Sequence, residues 1–237
     1  MKPHILPLMP LYLLNRISPS RYLSMQKCAL REIWAANGKV PYLLPSSPAS
    51  KLGIVVHKLI EQANRRELLD EQSMINTWQQ EIINIEHGMK KNWLEQHLLP
   101  LATYTKNYEV KRRLCYRLVK NMINTKGKNF KKPGLRVERE VWLETRDKKI
   151  GGRVDAIFWN AGSVQIIDYK SGPGTCNEDN IVKEEYRQQM KLYAALFYSK
   201  NGFWPAKLTI ISLSRQEYNV AFDKIECLEM LTQVKSK

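Results

Sequence analysis

Apolar residues change their spacing near the middle of the chain. In the first half they recur every three or four positions, so Leu52, Val55, Val56, Leu59, Ile60 and Ala63 share one face of a helix beginning near Ser50. Ser18-Pro19-Ser20 predicts an earlier helix, with Ser18 as cap, Pro19 in the first turn and Asn37-Gly38 as the stop. Two further helical stretches cover roughly residues 71–97 and 101–124. After Pro133-Gly134 the texture changes. Residues 136–144 and 149–160 are rich in β-branched and aromatic side chains, and 163–169 is a short apolar strand closed by Gly172-Pro173-Gly174. Residues 181–200 return to helical spacing, with Tyr186, Met190, Tyr193, Ala194 and Phe197 along one face, and 207–213 reads as a last strand. The division falls at 1–134, mostly α, and 135–237, strands with one helix; the two parts are expected to intertwine as one domain. There is no internal repeat and no low-complexity tract.

Composition changes this picture in one respect. An apolar share of 43% and a charged share of 26% over 237 residues exclude wholesale disorder, a disulfide scaffold and a collagen-like fibre. The charge balance is less ordinary. There are 38 Lys+Arg against 23 Asp+Glu, a net charge of +15, and the pI is about 9.6. That excess points to a polyanionic partner, nucleic acid or an acidic membrane surface. The most apolar run, residues 5–14, is broken by Pro7 and Pro10 and falls short of the roughly 20 residues a membrane span needs. Lys2 precedes it, yet no small-x-small site follows, so a secretory signal is not expected. Cys28, Cys115, Cys176 and Cys227 form no C-x-x-C pair, which suggests neither a zinc ribbon nor a redox motif and fits reduced thiols in the cytoplasm.

The segment from Gly151 to Lys170 carries the candidate chemistry. A two-residue turn at Ala161-Gly162 pairs Asn160 with Ser163 and, continuing the register, sets Asp155 opposite Asp168. A four-residue loop keeps that register; an odd loop or a bulge does not. Directly opposed Cβ atoms lie about 4.5–5.5 Å apart, where two ionised carboxylates repel by about 3–4 kcal/mol at an effective dielectric near 20. Both strands are otherwise apolar on both faces, so the pair is buried and needs compensation. A shared proton or a lysine would serve; a divalent cation would serve more completely, and an all-oxygen site suits Mg²⁺ or Mn²⁺. Lys170 follows Asp168 by two positions and shares its face, about 6.6 Å along the strand. By itself a D-x-K can be a plain salt bridge.

These residues resemble the RecB-like branch of the PD-(D/E)xK nuclease superfamily. The likeness rests on Gly152-Arg153-Val154-Asp155, then Asp168-Tyr169-Lys170-Ser171-Gly172, then a Q-x-x-x-Y helix at Gln189 and Tyr193. Upstream, Gly53 to Glu61 is similar to that branch's histidine-bearing helix, and Ile17 to Tyr22 to its usual start. The resemblance implies an α/β fold with a restriction-endonuclease-like mixed sheet core and a helical N-terminal region. It implies Asp155 and Asp168 as metal ligands, Lys170 as the catalytic lysine, and His57 as a further ligand. Gln189 and Tyr193 would support the lysine or the substrate strand. Glu140 matches an acidic position ahead of the first Asp, with Glu138 the competing assignment. The plainer reading of the helix histidine, and of Gln189 and Tyr193 on one helix face, is core packing. The chain departs from the pattern in lacking a proline before Asp155. Only Cys227 lies in the tail beside a possible first ligand Cys28, so no iron–sulfur cluster is expected. With no helicase motif, it reads as a stand-alone module.

Between Lys111 and Arg139 stand eleven basic residues and one acid, Glu138. Lys111, Arg112, Arg113, Arg117, Lys120, Lys131 and Lys132 are the candidates to follow a phosphate backbone, against the plainer reading of a solvated face. The expectation is a Mg²⁺- or Mn²⁺-dependent deoxyribonuclease, exonuclease favoured over endonuclease. Its setting would be repair, recombination or defence, with single- or double-stranded DNA as partner, a helicase as possible companion and no membrane. The alternatives are an inactive nucleic-acid-binding module, or an interaction subunit of the same fold.

Overall fold

Ser-Pro pairs start the first two long helices. Ser18 Oγ accepts the Arg21 N–H at 3.2 Å at the head of α1 (Pro19–Ala36), and Ser47 Oγ accepts the Ser50 N–H at 3.1 Å at the head of α2 (Pro48–Arg65). The second helix begins earlier than its apolar periodicity implies, because Ser47-Pro48 repeats the cap-and-proline device. The computed structural model describes residues 14–36, 45–65, 67–68, 70–129, 135–171, 175 and 182–236. Within α1, Cys28 leaves helical geometry (φ −161°, ψ 98°) and kinks the rod.

The long helix expected over 71–97 is shorter. Asp70 and Ser73 cap each other reciprocally at the start of α3 (Glu71–Lys90). Beyond Lys90, Asn92 Oδ1 accepts the Leu94 N–H at 3.0 Å and a 3₁₀ turn (Gln96–Leu98) follows. Glu95 there turns inward, taking the Ser46 N–H at 3.1 Å and the Lys51 ammonium at 2.9 Å. The stretch expected over 101–124 likewise splits into α4 (Leu101–Tyr104) and α5 (Tyr108–Asn129), separated at Asn107, which adopts φ +60°.

The second half folds into β1 (Leu135–Glu144), β2 (Gly151–Asn160), β3 (Ser163–Lys170), α6 (Glu184–Asn201) and β4 (Lys207–Ser212). The start expected for α6 at Ile181 lies outside the described residues. Residues 149 and 150, expected in β2, instead pair with the segment ahead of α1: Ile17 N–H donates to Lys149 O at 2.9 Å and Gly151 N–H to Ile17 O at 3.1 Å. Two elements escape the sequence pattern, β5 (Glu217–Asn219) and α7 (Lys224–Lys235). The first is only three residues, and the second leaves Ile225 and Leu228 exposed, which blurs its amphipathic signature.

The sheet runs β1-β2-β3-β4-β5, with β3 and β4 parallel and the other pairs antiparallel. A parallel pair needs a crossover, and α6 supplies it. On one face Met190, Ala194 and Phe197 of α6, with Cys227 and Leu231 of α7, pack with Ile157, Ile166, Leu208 and Ile210. On the other, Val55 and Leu59 of α2, Trp78 of α3 and Val119 of α5 cover Ala156, Ile167 and Tyr169. Each fully buried Val, Leu, Ile, Phe or Met side chain contributes roughly 1.5–3 kcal/mol, so the two apolar faces of β2 and β3 require helices on both sides. The result is the mixed-sheet α/β architecture expected. Among the described residues no helix is long and apolar enough to cross a membrane.

Candidate active site

The β2–β3 turn is as the sequence implies: Ala161 (φ +45°) and Gly162 (φ +84°) both occupy the left-handed region, the signature of a tight hairpin turn. Asn160 pairs with Ser163, and the ladder holds to Ala156 opposite Ile167. Continuing that register would set Asp155 across from Asp168, but the backbone ladder ends one step short of them. The Tyr169 N–H donates at 2.7 Å to Asp155 Oδ2 instead. On the other side, β1 and β2 pair on both sides of Glu140 and Asp155 but not at that step, and Glu140 takes φ +50°. Alternation slips at the same place, since Val154 and Ile157 both join the core under α6. The twist frees the Asp155 carboxylate from the regular pleat.

Lys170 ends β3 and is held from three directions. Its ammonium lies 2.7 Å from Asp168 Oδ2, donates to Gln189 Oε1 at 2.7 Å, and stands 4.6 Å over the Tyr186 ring. Gln189 Nε2 donates to Tyr193 Oη at 3.3 Å, which in turn donates to Arg153 O at 2.9 Å. A chain of hydrogen bonds thus runs from β3 through α6 to β2. Gly152 permits it: a Cβ there would come within 3.0 Å of the Tyr193 ring and 2.8 Å of Pro19 Cδ. From the opposite face, α2 brings His57 Nδ1 to 3.9 Å from Asp155 Oδ2.

His57, Glu140, Asp155, Lys170, Ser171 and Tyr186 line one cleft of about 690 Å³, with Glu61 and Ile54 of α2 on its wall. Burial, then the charge of Asp168, pushes Asp155 well above the usual carboxylate range, although the Tyr169 amide and Lys170 pull the other way. Burial also raises Glu140, helped by Glu61 and opposed by Arg153, whose Nη1 lies 3.8 Å from Glu140 Oε2. Burial would lower Lys170, but Asp168 and Asp155 outweigh it and keep the ammonium charged. Burial lowers His57, aided by Lys170 and opposed by the charge of Asp168, which favours the neutral imidazole, the form that ligates metal. Among the described residues no group of three or more His, Cys, Asp or Glu side chains is already placed to hold a metal ion. The donor chemistry nonetheless fits a hard divalent cation: the Asp155 and Glu140 carboxylates and the His57 imidazole line the same cleft, with Asp168 held against Lys170 beside them.

The structure brings His57, Glu140, Asp155, Asp168, Lys170, Gln189 and Tyr193 together. Glu138 does not line the cleft and pairs instead with Arg136. The basic run divides. Lys111 is buried on α5, so it does not offer its charge to an outside phosphate. Arg112 is tied to Glu109 at 2.6 Å and Lys120 to Glu71 at 2.9 Å, while Arg113 and Arg117 are exposed. Lys131 and Lys132 lie outside the described residues. Sequence reading missed Tyr186 as a site residue, although Tyr186, Gln189 and Tyr193 follow helical spacing on one stripe. It also missed Glu61, one turn beyond His57.

A mixed sheet between helical layers, with paired carboxylates and a lysine meeting at one cleft, is the build of a phosphodiester-cutting nuclease. The chain belongs to the PD-(D/E)XK nuclease superfamily, whose family model matches residues 16–231. A solved structure described as the crystal structure of SSO0001 is similar at 19% identity, covering 64% of this chain and 86% of that one, with a TM-score of 0.31, too low to carry an argument. No curated protein matches the chain in sequence.

Proposed function

We propose that this chain is a metal-dependent deoxyribonuclease of the RecB-like branch, acting from DNA ends in repair, recombination or defence. The observation that carries the reading is Lys170, fastened between Asp168 and Gln189 at the mouth of a cleft that also holds His57 and Asp155. Asp155, Asp168, His57 and Glu140 are the residues that would hold Mg²⁺ or Mn²⁺. A divalent cation supplies positive charge beside the phosphate and acidifies water at the site. The Lys170 ammonium faces the same space and offsets negative charge on the phosphate as the bond to the 3′-oxygen breaks. Gln189 and Tyr193 fix the direction of that ammonium. Arg113 and Arg117, exposed on α5, are the members of the basic run suited to meet the DNA backbone.

Labelled single- and double-stranded DNA incubated with the purified protein and Mg²⁺, Mn²⁺ or EDTA tests the reading. Cleavage that needs the metal and disappears in folded Asp155→Ala, Asp168→Ala and Lys170→Ala supports it. Metal-independent cleavage, or unchanged cleavage in all three variants, removes it.

A further inference from the structure

Trp142 is a large aromatic residue that the proposed reaction leaves unused. It sits on β1, an edge strand, with 39% of its surface exposed. Its partner in register is Arg153 of β2, and two positions back along β1 lies Glu140 on the wall of the cleft. Arg153 itself reaches Glu140. Arg153, in register with Trp142 and in reach of Glu140, links the indole to the wall of the cleft.

The groups around that indole are already arranged. Glu144 Oε2 accepts the Trp142 Nε1–H at 2.8 Å and lies 3.3 Å from Arg16 Nη2. Arg16 Nε donates to Lys148 O at 3.0 Å, and its guanidinium carbon stands 5.3 Å over the indole ring. Gly151 makes room, since a Cβ there would come within 2.9 Å of Trp142 Cζ2. Trp142 and Glu144 also line a groove of about 340 Å³ with Arg146, Ser199 and Lys200. Arg16, Arg146 and Lys200 give this surface more cations than Glu144 can neutralise.

We propose that the Arg16–Trp142 platform binds the single-stranded DNA that extends beyond the cleft. Unpaired bases stack on the indole and guanidinium, and Arg153, Arg146 and Lys200 follow the phosphates. Every base has a π face, so an aromatic–guanidinium platform beside cations suits a single strand of any sequence. A duplex keeps its bases stacked within and presents no such face, and an uncharged apolar partner would leave these cations unpaired. The inference rests on the nuclease reading and adds to it a path for the strand.

Anisotropy titrations with labelled oligothymidylates of about 4 to about 16 nucleotides, in EDTA so that nothing is cut, test it. In the wild type, affinity rises with length past the reach of the cleft. Trp142→Ala and Arg16→Gln should lower affinity for the longest strands by about tenfold and leave the shortest nearly unchanged, while Trp142→Phe keeps most of the gain. Arg16 is partly exposed, so Arg16→Gln keeps the test decisive if Trp142→Ala disturbs β1. A length dependence identical to wild type in both variants, or an equal loss at every length, overturns the platform. The wild-type controls separate the two claims: a wild type that cuts DNA while both variants match it removes only the platform. A wild type that neither binds nor cuts any DNA removes the nuclease reading as well.

Discussion

Lys170 Nζ donates to Gln189 Oε1 at 2.7 Å, a bond that ties the end of β3 to the first half of α6. Asp168 sets the charge of the lysine, and Gln189 sets its direction. Replacing Gln189 by Leu should leave DNA affinity within a factor of a few but lower kcat by about tenfold to a hundredfold, since small misplacements of a catalytic group carry costs of that order. Tyr193→Phe, which keeps the ring but removes its bond to Arg153 O, should show a smaller loss in the same parameter. Single-turnover cleavage with saturating protein separates these effects from binding.

The raised Asp155 gives the metal-free protein a defined pH response. A carboxyl group whose folded pKa lies above its unfolded value holds its proton more tightly when folded. Its contribution is therefore full below the unfolded value, near 3.9, and is lost as pH rises through the raised folded value. In EDTA, Asp155→Asn should raise the melting temperature at neutral pH and flatten this part of the profile. Adding Mn²⁺ at about 100 times its Kd should stabilise the wild type by about 2.7 kcal/mol and the variant far less. Melting curves across pH, with and without Mn²⁺, check both; equal Mn²⁺ shifts in the two proteins would place the cation elsewhere.

Glu95 gives the opposite sign. Burial alone would raise it, but the Lys51 ammonium and the Ser46 N–H prevail and hold it below the usual range. Its stabilising effect is present above the unfolded value and is lost as pH falls through the folded one. Because the pair pins the entrance to α2, Glu95→Gln should destabilise by about 1.5–3 kcal/mol, the scale of a hydrogen bond to a charged group. The loss, read by urea unfolding, should shrink on acidification.

The division within the basic run predicts a split in salt dependence. Arg113→Ala and Arg117→Ala should each reduce the slope of log affinity against log salt by about 0.9 for every phosphate the side chain neutralises in the wild type. Lys111→Met should leave the slope unchanged, because the buried ammonium meets no phosphate. Titrations of one oligonucleotide at several salt concentrations distinguish these outcomes.

The local part of the fold was legible in sequence. Ser18-Pro19 marks a helix start because a hydroxyl and a fixed φ act over a few residues, and Ala161-Gly162 specifies its turn by the same short reach. From that turn, the two-residue period of a strand carries the register as far as Ala156 opposite Ile167, one step short of Asp155 and Asp168. The tertiary structure decided what depends on segments distant in the chain. The ladder opens at Asp155 because β1 and β3 both let go at that step. Tyr186 faces Lys170, and Lys111 is buried while Arg113 is not, because of how α6 crosses the sheet and α5 packs on its other face. Glu95, beyond the end of α3, turns inward because its partners lie at the head of α2. Periodicity along one segment holds no information about which neighbour will cover it, and packing between segments makes that choice.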